Sequence, residues 1–94
     1  MPKIHPRKVV IRKRPFTLLS RTMKQFDGLC DHPATPYPEI WIHSRIKGVE
    51  ALETLAHELG HAAYPDLSED AITEFARDLA LALWDLGYRN EDWD

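Results

Sequence analysis

Residues 52–64 read LETLAHELGHAAY, and the reading of this stretch decides the rest. It sets His57, Glu58 and His61 in the order His-Glu-x-x-His. Side chains four apart on a helix stand one above the other on one face, so both imidazoles can reach one ion. Glu58 lies beside the coordination position left open, where a general base takes a proton from metal-bound water. Neutral imidazoles with a carboxylate form an N/O donor set that suits Zn2+. Five histidines in 94 residues put the bare spacing within reach of chance. The surroundings favour a metal. Leu52, Leu55, Ala56, Leu59, Ala62 and Ala63 give the segment an apolar face, and imidazoles bordering such a face need partners. Gly60 costs a helix interior about 1 kcal/mol relative to alanine; close approach of another backbone element or of a substrate would justify it.

A chain of 94 residues fits one domain, 1–94. Cores of this size are marginal, and an ion that binds only the folded form would add stability. The formal net charge is -3, with a basic beginning and a mostly acidic stretch from Glu50 onward. The cluster Arg7, Lys8, Arg12, Lys13, Arg14, Arg21 and Lys24 is read as a solvated face, so nucleic acid is not an expected partner. Cys30 is the single cysteine and supports no intrachain disulfide framework. No apolar run resembles the core of a signal peptide or approaches the roughly 20 residues of a membrane span. A cytoplasmic protein without membrane contact is expected, its oligomeric state open.

Residues 1–7 read as a flexible leader, interrupted by Pro2 and Pro6. Lys8–Lys13 (KVVIRK) favours a strand that Pro15 ends or bends. Phe16–Phe26 is a second strand or an irregular arm, and Phe26–Asp31 (FDGLCD) a short strand. His32–Pro38 holds three prolines and forms a loop that could rim a cleft. Glu39–Ser44 (EIWIHS) alternates with period two, turning Ile40 and Ile42 inward and Trp41 and His43 outward. A helix starts near Val49 or Glu50 and runs to Tyr64, where Pro65 stops it. A second helix, capped by Ser68 or Asp66, runs to about Leu86 with Gly87 as its C-cap. Its apolar stripe is Ala71, Ile72, Phe75, Leu79, Ala82, Leu83 and Leu86. Residues 88–94 form a short tail. The fold class is α+β: a small antiparallel or mixed sheet of about three strands packed on two antiparallel helices.

Two ligands make a poor zinc site, since catalytic sites typically have three protein ligands and water. The short link makes the helices antiparallel neighbours. The ion should lie level with Leu59, and counting an equal height into the second helix reaches Thr73 and Glu74. Glu74 is thus the expected third ligand, with Asp70 as the rival one turn earlier; Glu69 could serve only if the second helix were rotated. The alternative role of Glu69 and Asp70 is to complement the positive helix start. Asp78, four residues after Glu74, would accept the other ring N–H of His57 and fix its tautomer.

His57-Glu58-Leu59-Gly60-His61 followed by Glu74 and Asp78 resembles the gluzincin class of zinc metallopeptidases. The resemblance implies His57, His61 and Glu74 as ligands, Glu58 as base and Asp78 behind the ligands. With its preceding strand, the segment is similar to the minimal zincin-like cores of SprT-like proteins and of immunity-repressor-cleaving peptidases. Residues 9–88 also resemble small phage-type and bacterial proteins described as metallopeptidases.

The expected activity is zinc-dependent hydrolysis of a peptide bond in a protein or peptide substrate. The strand Ile40, Trp41, Ile42, His43 is a candidate edge for pairing with an extended substrate. Tyr64 is a candidate oxyanion donor, as are Tyr88, His43 and Arg45. Two other readings remain: a metal-stabilised binding or regulatory module without turnover, and a zinc hydrolase of a non-peptide amide.

Overall fold

The computed structural model describes residues 6–89. Four strands come first: β1 (Arg7–Ile11), β2 (Arg14–Arg21), β3 (Gly28–Cys30) and β4 (Glu39–His43); the helices α1 (Gly48–Ala63) and α2 (Glu69–Asp85) follow. The strands form one mixed sheet in the order β1-β2-β4-β3. β1 and β2 are antiparallel, β2 and β4 parallel, and β3 and β4 antiparallel. The α+β class therefore holds, with four strands rather than about three.

β1 ends at Ile11, and Arg12 and Lys13 turn the chain with φ of 49° and 68°. Such left-handed conformations suit the twist of a two-residue hairpin, although non-glycine residues adopt them at a cost. Pro15 does not end a strand. It sits near the start of β2 opposite Val10, before β4 begins to pair at Thr17. Its missing N–H therefore has no β4 partner to lose. Arg7 already belongs to β1, which shortens the expected leader; residues 1–5 of that leader and residues 90–94 of the expected tail lie outside the described residues.

The period-two reading of β4 holds. Ile40 and Ile42 are fully buried, and Phe16 and Leu18 of β2 join them under α1 with Ile46, Ala51 and Ala62. α2 packs on α1 and on no strand. Ser68 caps it, accepting a hydrogen bond from the Ala71 N–H at 3.1 Å. Its buried residues are Ile72, Ala76 and Ala80, so one isoleucine and two alanines make the seam against α1. The expected stripe is met in part: Ile72 lies in the seam and Leu79 and Leu83 are half-buried beside it, whereas Phe75 and Leu86 are 64% and 75% exposed. A β-carbon on Gly60 would stand 3.2 Å from Ile72 Cγ2. Gly60 thus marks where the second helix crosses closest.

Replacing Ile42 by alanine removes a side chain with no exposed surface. Urea denaturation of Ile42→Ala is expected to show a loss of about 2–5 kcal/mol, a large part of the roughly 5–15 kcal/mol that holds a typical domain folded.

Candidate metal centre

α1 places Glu53, His57 and His61 in one row and Thr54 and Glu58 in the next, by the i, i+4 repeat. The imidazoles meet at their Nε2 atoms, 3.1 Å apart. Glu69, the first residue of α2, closes the group. Its Oε1 lies 2.7 Å from His57 Nε2 and its Oε2 lies 3.0 Å from His61 Nε2. Among the described residues, this is the one group of three or more His, Cys, Asp or Glu side chains placed to hold an ion. Two nitrogens on a tetrahedral zinc, with bonds of roughly 2.0–2.1 Å, stand about 3.3 Å apart. The observed spacing fits. A cation between the rings also turns two lone pairs that face each other into ligands of one centre.

The carboxylate that joins the two imidazoles is therefore Glu69, not the expected Glu74. Glu74, Asp70 and Asp78 are all exposed and outside the group. The reason is rotation. Glu69, Ile72, Ala76 and Ala80 form one i, i+3, i+7, i+11 row facing α1. Glu74 lies two residues from both Ile72 and Ala76, about 200° around the helix, and Asp78 stands in the same relation to Ala76 and Ala80. Counting along the helices matched their height and missed their azimuth. The alanine row was the signal that could have selected Glu69.

Glu58 is 7% exposed, and among the described residues its carboxylate takes part in no hydrogen bond. It faces a cleft of about 720 Å³ between α1 and the segment from Phe26 to His32, with His57, His61 and Glu69 on its wall. Gly28 makes this possible. A β-carbon there would lie 2.7 Å from Thr54 Cγ2 and 2.9 Å from Glu58 Cγ and Oε2. Sequence reasoning passed over Gly28, because the need for a bare backbone arises from residues 26 and 30 positions further on. Burial pushes the Glu58 carboxyl up to about 7; His57 opposes this and Glu69 adds to it. Burial first, then Glu58 and Asp31, pushes the Cys30 thiol up to about 12. Its Sγ donates to the Asp31 carbonyl at 3.2 Å, and a thiol so held is a poor ligand.

The expected substrate strand is also corrected. β4 is hydrogen-bonded to β2 on one side and β3 on the other, which leaves Ile40, Trp41, Ile42 and His43 no free edge. β3 is the edge strand on that side of the sheet and lines the cleft. None of the four proposed oxyanion donors lines it. Tyr64 lies in an apolar groove with Leu59 and Phe75, its ring under the Arg12 guanidinium at 4.9 Å. His43 Nδ1 accepts from the Arg45 N–H. His32, on the loop expected to rim a cleft, lines the cleft.

No protein-family model, curated protein or solved structure matches the chain. Among the described residues, no helix is long and apolar enough to cross a membrane.

Two outcomes are expected. Glu69→Gln should weaken zinc binding at least about 10–100-fold, the loss that follows even removal of a group hydrogen-bonded to a ligand. Glu74→Gln should leave it unchanged, both read by competition with a chromophoric chelator. In metal-free protein, between about pH 4.5 and 7 the folded chain keeps a Glu58 proton that the unfolded chain has released. This group's contribution to stability therefore falls as pH rises through that window. Melting of wild type and Glu58→Gln under chelator, followed by circular dichroism, should show a steeper decline for the wild type.

Proposed function

We propose that this chain is a zinc-dependent peptidase of gluzincin type, cleaving an amide bond in a protein or peptide substrate. One observation carries the reading: a buried carboxylate without a hydrogen-bond partner among the described residues, Glu58, shares an open cleft with the His57–His61–Glu69 group. Zinc held by that group would acidify a bound water and polarise the substrate carbonyl. Glu58 takes the water proton and passes it to the leaving amine. The edge of β3 receives an extended substrate as an added strand, which runs it past His57 and Glu58. His32 Nδ1 accepts the Ala34 N–H at 3.0 Å, so the neutral ring carries its proton on Nε2. That N–H is the donor offered to the oxyanion.

One observation favours a second reading, a metal-stabilised binding module without turnover. The ligands join α1 to α2, and α2 has no other packing partner among the strands and helices. An ion there would staple the helices whether or not chemistry followed.

The peptidase reading expects one zinc per chain in both wild type and Glu58→Gln, by elemental analysis. It expects hydrolysis of unfolded casein by the wild type and a loss of about 10²–10⁴-fold in the variant. Full zinc uptake with no casein cleavage by the wild type would leave the module.

A further inference from the structure

A second concavity, apolar and separate from the metal group, lies on the other side of α1. It is a groove of about 430 Å³ floored by α1, with Ile11 of β1 on one wall and Ala71, Phe75, Leu79 and Leu83 of α2 on the other. β1 and β3 are opposite edges of the sheet, and the groove shares no lining residue with the cleft. No charged side chain lines it, yet Tyr64, Leu67 and Phe75 on its walls are 52%, 51% and 64% exposed. Large apolar side chains gathered on one open face mark a contact surface.

The two rims of this groove carry opposite charge. Residues 7–14, which form β1 and its turn, include five Lys and Arg and no acid. Arg12 is anchored at the groove: it donates to the Ala63 carbonyl at 3.0 Å, with its guanidinium over the Tyr64 ring. That leaves most of its five donors unused. The α2 rim is acidic. Glu74 and Asp78 stand three and seven residues after Ala71, so they flank the groove wall along the helix. Both are exposed, and neither has a partner among the described residues. As like charges four apart on one helix they repel each other. The one cation of α2, Arg77, turns the other way, toward Glu53 on the cleft side.

Opposite rims decide what fits. A cationic partner is drawn to the α2 rim and repelled by the β1 rim, and an acidic partner the reverse. A second copy of this chain brings both rims. An isologous pair needs a two-fold axis in the plane of the contact. With the axis along the groove, the β1 rim of each copy lies over the α2 rim of the other. With the axis across the groove, like charge meets like.

We infer that the groove is the contact surface of a homodimer whose two-fold axis runs along it. Phe75 of each copy seats in the groove of the other, and Arg12 and Lys13 of each face Glu74 and Asp78 of the other. The inference stands independently of the peptidase reading, and the dimer leaves both clefts open.

Sedimentation equilibrium of the full-length protein tests this. A dimer with a dissociation constant no weaker than about 100 µM is expected, weakening as salt rises. Phe75→Ser should weaken it at least about tenfold, with the circular dichroism spectrum unchanged. Reversing one rim with Glu74→Lys and Asp78→Lys, or the other with Arg12→Glu and Lys13→Glu, should each weaken it by about tenfold or more. Mixing the two reversed proteins should restore a dimer holding one chain of each, because both crossed contacts then pair opposite charges. That rescue also shows that the reversed chains are folded. A monomer at every concentration, which leaves the groove to another occupant, would overturn the inference. So would a dimer indifferent to Phe75→Ser or to the reversals, or reversed proteins that fail to pair on mixing.

Discussion

The burial of the Glu58 carboxylate is the constraint on which the rest of the site depends. An ionised group with 7% of its surface exposed and no hydrogen-bond donor aimed at it among the described residues is costly to keep. The fold accepts it at a place where two imidazoles and a second carboxylate converge. A cation there restores the balance by attraction, and without one the carboxyl holds its proton to about pH 7. The surrounding architecture follows from fitting this group in. Gly28 withholds a side chain from the space that Glu58 and Thr54 occupy. The three-residue β3 brings that glycine to the edge of the sheet, and β4 pins β3 in place through its antiparallel register.

The carboxylate beside the imidazoles comes from the packing seam itself. The row that seats α2 on α1 begins with Glu69 and continues through Ile72, Ala76 and Ala80. Ile72 meets α1 at Gly60, one residue before His61. Helix contact and the gathering of this group are therefore linked: whatever sets the rotation of α2 also aims the carboxylate. The five residues between the helices, Tyr64 to Ser68, fix that rotation, with Ser68 holding the first turn through its hydroxyl.

His57, Glu58 and His61 were legible in the sequence because their relation is local: an i, i+4 pair meets wherever the segment is helical. Ile40 and Ile42 were legible for the same reason, with strand alternation in place of helical repeat. Glu69 was not, because the height of a residue on a neighbouring helix follows from loop length and its azimuth does not. The large side chains of α2 compounded the error. Phe75 and Leu86 drew the apolar stripe toward themselves, while Ala76 and Ala80, outside that stripe, join Ile72 in the buried seam. The position of β4 inside the sheet was equally hidden, since nothing in EIWIHS encodes that β2 will lie parallel along one side of it. Gly28 belongs with these non-local features, a residue explained only by what arrives from α1.

Among the described helices and strands, α2 packs against α1 alone. Cooperative units of a protein open separately when few contacts join them. Unlatching α2 would withdraw Glu69 while the sheet and both imidazoles stay in place. The dwell time of an ion is then governed by the detachment of one helix rather than by global unfolding, and a partner gripping the outer surface of α2 would lengthen it without approaching the ion.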